Sequence, residues 1–112
     1  MKAKAPHFGL ARVKGLVANG NFTVQESRAR VFLGTFVEAR ARMQEVCALL
    51  SERAFSHSVQ LTWDVADVYG VTYCGRGWYL KLTIDDEEPE VAIISFHPLQ
   101  HPLRTNGGQV KP

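Results

Sequence analysis

Near Phe55 the spacing of apolar residues changes from about 3.6 to about 2, and this switch limits the folds open to the chain. Before it, Leu10, Val13, Leu16 and Val17 recur at helical steps, and Phe36, Met43, Val46, Cys47 and Leu50 form a second helical stripe. Beyond it, Trp78, Leu80, Leu82 and Ile84 alternate with Tyr79, Lys81, Thr83 and Asp85, as in a strand with one apolar and one polar face. Helices precede strands in a chain of 112 residues, which has room for one core. The expected fold class is α+β: an antiparallel sheet of three to six strands with two or three helices on one face.

Local signals place the elements. Asn19-Gly20 stops a first helix over residues 9–18, and Asn21–Gln25 suits a short strand or an extended connection. Thr35 and Glu38 form a capping pattern that opens a helix over 36–50. Val65–Tyr73 reads as a strand, Gly75 and Gly77 mark the turn into residue 78, and the acidic run Asp85–Glu90 joins two strands. Val91–His97 is almost wholly apolar, as a central strand requires; strict alternation there puts Val91, Ile93, Ser95 and His97 on one side. From Pro98 onward, three prolines and Gly107-Gly108 exclude regular structure. The expected organisation is therefore a domain over 1–97 and an irregular tail over 98–112 that wraps the domain or stays mobile.

Charge narrows the class of partner. The net charge is +2, but residues 1–53 carry nine Lys or Arg against four acids, whereas residues 54–112 carry four against seven. A concentrated positive half is compatible with a phosphate-rich partner and equally with a solvated basic helix face. No apolar run approaches the roughly 18 residues of a membrane span, and Met1–His7 lacks a signal-peptide core. A cytoplasmic location without a membrane partner is expected. Cys47 and Cys74 show no metal-ligand spacing and read as ordinary thiols. No GxGxxG, GxxxxGK[ST] or HExxH pattern occurs, and no cofactor is expected.

Pro6, His7, Leu10, Val13, Leu16, Val17 and Gly20 follow the form PHxxLxxVxxLVxxG. They are followed by Asp67-Val68-Tyr69, by Tyr79-Leu80-Lys81-Leu82-Thr83, and by Ile94-Ser95-Phe96. In this order the segments resemble the MqsR family of bacterial toxins over residues 4–97. The resemblance implies a RelE/MqsR-like fold and an endoribonuclease that cuts messenger RNA at short GC-containing sites. It also implies an antitoxin partner that itself binds DNA; direct DNA binding by this chain is not expected.

The resemblance further implies a site. Family positions occupied by Lys, Gln, Tyr and Lys fall here on His57, Ala66, Tyr79 and His97. Metal-free cleavage of RNA by its own 2′-hydroxyl needs a base, an acid and a cation for the developing charge. An imidazole titrates near pH ~6.5 and serves as either base or acid at neutral pH. His57 and His97 are therefore expected to divide those roles, with Tyr79 contacting the phosphate or assisting proton transfer. Lys81 or Arg76 supplies positive charge, and Arg104 is a further substrate-binding candidate in the tail. His7 is expected to serve structure. Two other readings fit the same residues: a non-catalytic RNA- or partner-binding module, motivated by Ala66 and the lost lysines, and cleavage confined to ribosome-bound message.

Overall fold

The first helix, α1 (Leu10–Ala18), buries Val13 and Val17 and ends as its sequence predicts. Gly20 takes φ 81°, its N–H donates to the Val17 carbonyl, and the Asn21 N–H reaches back to Leu16. This double closure needs a residue that tolerates the left-handed region, and glycine does so without a Cβ penalty. The structure is a computed structural model that describes residues 3–25 and 36–112. The capping residue Thr35 lies outside them.

The segment after α1 forms β1 (Phe22–Val24), and α2 (Phe36–Ala48) then packs beside α1. The helices and the sheet share a core that includes Met43, Val46, Cys47, Leu50, Leu80 and Ile93. Arg40 on α2 donates to the Gly20 and Phe22 carbonyls at 2.9 and 2.6 Å and lies 4.0 Å above the Phe22 ring, which fixes the end of α1 and β1 together. A short 3₁₀ turn, Glu52–Ala54, leads to β2 (Phe55–Gln60), β3 (Val65–Tyr73), β4 (Arg76–Asp85) and β5 (Glu90–Pro98). The sheet order is β1-β5-β4-β3-β2, with β1 parallel to β5 and the other pairs antiparallel.

Two local expectations change. The β3–β4 turn is the two-residue pair Cys74-Gly75, at φ 50° and 77°, the sign required for a tight hairpin turn that matches strand twist. Arg76 and Gly77 therefore belong to β4 and not to the turn. Strict alternation along β5 fails, because the register passes from Leu82 opposite Ile93 to Lys81 opposite Ser95 and leaves Ile94 as an extra residue. Val91, Ile93 and Phe96 face the core, while Ser95 and His97 lie on the other side. The segment around His57 is also a strand, with a second register shift between Phe55 and His57 at Ser56.

The tail carries regular structure after all. β6 (Leu103–Thr105) and β7 (Gly108–Val110) pair across Asn106-Gly107, a dipeptide that signals a hairpin. This hairpin covers the sheet face away from the helices. A Cβ on Gly70 would lie 3.1–3.3 Å from Leu103, Thr105 and Val110, and a Cβ on Gly77 would run into the Lys111 carbonyl. Two strand glycines thus make the seat of the tail.

One buried carboxylate joins the chain's beginning to the sheet. Asp67, fully buried in β3, accepts from the His7 and Phe8 N–H groups at 3.0 and 2.9 Å and from Ser58 Oγ at 2.7 Å. His7 is exposed, and its ring packs edge-on against Phe8.

Two tests address this packing. Gly77→Ala should lift the tail: amide exchange across Leu103–Val110 should accelerate and stability should fall by about 1–3 kcal/mol, as for overpacked sites; wild-type protection would show that the seat is not needed. Burial pushes the Cys47 thiol from 9.0 up to about 12 and raises the Tyr69 phenol as well. Both groups bind their protons more tightly when folded, so their contribution is complete below about pH 9 and is lost as pH rises toward 12, at up to about 1.4 kcal/mol per pH unit for each group. Urea midpoints between pH 8 and 11 should decline, and less steeply in Cys47→Ala.

Candidate active site

Alternation along β4 sends Leu80, Leu82 and Ile84 into the core and leaves Tyr79, Lys81 and Thr83 half-buried on the opposite face. On that outer face β5 contributes Ser95 opposite Lys81 and His97 opposite Tyr79. The Tyr79 and His97 rings stack, with centroids 4.9 Å apart and planes 11° from parallel. Burial raises the pKa of the Tyr79 phenol, so it stays protonated at neutral pH and acts as a hydrogen-bond donor.

His57 reaches the same face from β2. It lies opposite Val68, which in turn lies opposite Lys81. Lys81 therefore stands between the two histidines. With strands about 4.8 Å apart, two spacings put the His57 backbone about 10 Å from that of Lys81, and three put it about 14 Å across the sheet from β5. Val68 and Ala66, on the outer face beside them, are fully buried. Ala66 offers no polar group there.

Each imidazole is held by an oxygen. The Ser56 hydroxyl donates to the Arg104 carbonyl at 2.6 Å, so it accepts from His57 Nδ1 at 2.9 Å. His97 Nδ1 lies 2.9 Å from the Pro98 carbonyl, which can only accept. Both rings thus carry the proton on Nδ1 when neutral, and both present an Nε2 lone pair as the open acceptor.

The six residues singled out from the sequence fall into three places. Tyr79, Lys81 and His97 form one contiguous patch. His57 and Arg104 line a neighbouring cavity of about 500 Å³ between β2, the tail hairpin and the N-terminal segment. Arg76 is not brought to this face: it points to the helix side, with its guanidinium 5.5 Å from the Trp78 ring. Sequence reasoning misses Ser56, which orients His57, and Lys4 and Asn106, which line the cavity. A serine beside a histidine is a weak signal, and nothing in the spacing connects residue 4 with residue 104. Alternation alone puts Ser95 on the wrong face, because it does not foresee the bulge.

Among the described residues, no three His, Cys, Asp or Glu side chains gather in a group able to hold a metal. No helix of the described residues is long and apolar enough to cross a membrane.

Comparison with known proteins adds the family. Among curated proteins none matches the sequence. The profile of the family described as "Motility quorum-sensing regulator, toxin of MqsA" matches residues 5–98, from the segment pinned by Asp67 to the end of β5. The matched span contains His57, Tyr79, Lys81 and His97 and stops short of the tail hairpin. The opening helix and the three later strand motifs that carry the resemblance all lie within that span and contribute to one hydrophobic core, and this chain belongs to the MqsR toxin family.

Proposed function

We propose that this toxin is a metal-independent endoribonuclease that cuts messenger RNA on the outer face of its sheet. The observation that carries the reading is the Tyr79–His97 stack with Lys81 beside it on β4. A scissile phosphate over Lys81 has a cation against its developing charge, His97 and the protonated Tyr79 phenol on one side, and His57 on the other. One imidazole takes the 2′-hydroxyl proton through Nε2 as the 2′-oxygen attacks phosphorus. The second, protonated, gives its proton to the departing 5′-oxygen as the P–O5′ bond breaks, which leaves a 2′,3′-cyclic phosphate and a 5′-hydroxyl. The Nδ1–H bonds to Ser56 and Pro98 keep both Nε2 atoms available for this exchange. In the cytoplasm an antitoxin, encoded nearby and binding DNA itself, holds the protein silent.

A second reading, a non-catalytic binding module, draws on Ala66, which leaves the outer face without the amide implied at that position by the family resemblance. In that case RNA or the antitoxin is bound and no RNA is cut at any protein concentration.

Cleavage of single-stranded RNA in EDTA, with cyclic-phosphate ends, is the expected result. His57→Gln and His97→Gln should each lower kcat by about 10²–10⁴, and Lys81→Ala by about 10²–10³; wild-type rates in both histidine variants would remove the assignment. Strict dependence on Mg²⁺ would count against the mechanism. Nitrogen-15 NMR at alkaline pH should find Nδ1 protonated and Nε2 bare in both rings. The opposite tautomer at either would break the proton-transfer scheme.

A further inference from the structure

Proton transfer by His57 does not account for the cavity in which it stands. Lys4, His57 and Arg104 line it together with Ser56 and Asn106, and none of its lining residues is acidic. Among the described residues neither Lys4 nor Arg104 has an ion-pair partner. Three residues that are or can become cationic, 4, 57 and 104, thus line one space with no acidic residue among its walls. At about 500 Å³ the space is within the range in which small ligands are held.

The walls are built and not incidental. Asn106 exchanges hydrogen bonds with the Lys4 backbone, receiving at 2.8 Å and donating at 2.7 Å, and donates to the Glu52 carbonyl at 2.9 Å. Its own N–H donates to the Phe55 carbonyl at 3.0 Å, and the Gly107 N–H to the Arg53 carbonyl at 2.8 Å. Ser56 Oγ fastens the Arg104 backbone, and the Gly70 and Gly77 seats hold the hairpin against the sheet. All of this wall from Leu103 onward lies beyond the span matched by the family.

We propose that the cavity is a phosphate subsite for the RNA strand, taking a phosphate that flanks the one over Lys81, and that the tail hairpin adds it to the toxin fold. The proposal rests on the ribonuclease reading for its choice of ligand. Lys4 and Arg104 provide the charge, and the Ser56–His57 pair marks the border with the reacting centre. Each phosphate so neutralised releases counterions, which makes the binding salt-dependent.

The test uses the full chain and a short, single-stranded RNA labelled with fluorescein and 2′-O-methylated, so that it binds but cannot be cut. In Lys4→Ala/Arg104→Ala the affinity at low salt should fall tenfold or more. The slope of log Kd against log salt should drop by about 0.7 for each phosphate that is no longer neutralised. Arg104→Lys should retain most of the affinity, and Arg104→Glu should weaken it further; amide spectra like those of the wild type show that each variant is folded. Unchanged affinity and slope in the double variant would overturn the subsite, as would an effect confined to antitoxin binding. Cleavage by the wild type is scored separately. If it cuts RNA and the double variant binds normally, the subsite alone falls. If it never cuts RNA and the double variant loses affinity, the ribonuclease reading falls and the cavity stands as an RNA-phosphate site.

Discussion

Two extra residues, Ser56 in β2 and Ile94 in β5, decide which side of the sheet the histidines serve. Phe55 pairs with Tyr69 on the core side, so an unbroken register would bring His57 opposite Asp67 and turn it inward; the bulge brings it opposite Val68 instead. In β5, Ile93 and Phe96 are both fully buried although an odd number of steps separates them, which regular alternation forbids. Phe96 stacks on Trp78 with centroids 4.7 Å apart and planes 2° from parallel. Keeping that pair in the core forces the bulge at Ile94 and delivers His97 to Tyr79. The alternative buries an imidazole and exposes a phenyl ring, and a polar group buried without a partner costs roughly 1–3 kcal/mol.

β3 shows how the rest of the domain is organised around this face. Ala66, Asp67, Val68, Tyr69 and Gly70 are buried on both of its sides. Asp67 uses the helix side to anchor the segment before α1, and Gly70 uses the other to seat the hairpin. The segments near residues 7 and 105 are thereby brought to opposite faces of one strand and meet around the edge strand β2, where Asn106 binds the Lys4 backbone. The cavity beside His57 is a consequence of that closure.

The candidate site is legible in the sequence only in part. Tyr79 and Lys81 occupy a strand with uninterrupted alternation, so their shared outward face follows directly from the order of residues. The histidines come to notice through family resemblance, and their faces are not readable, since a bulge leaves no periodic mark. In the tail the prolines and glycines outweigh the Asn106-Gly107 turn signal and suggest irregularity, yet Pro102 precedes the hairpin and Pro112 follows it. Gly77 has the look of a turn residue, whereas its lack of a side chain accommodates a distant carbonyl. Its neighbour Arg76 begins a strand and is exposed there, with its guanidinium near the Trp78 ring.

The sequence by itself determined the two helices, their burial stripes, the strands with clean alternation and the family to which the chain belongs. These depend on local spacing and on residues close together in the chain. Only the tertiary structure decided the sides taken by His57 and His97, the seat of the tail, and the meeting of residues 4, 57 and 104. Those outcomes depend on competition between remote groups for one core and one strand face, and no local window of sequence contains both competitors.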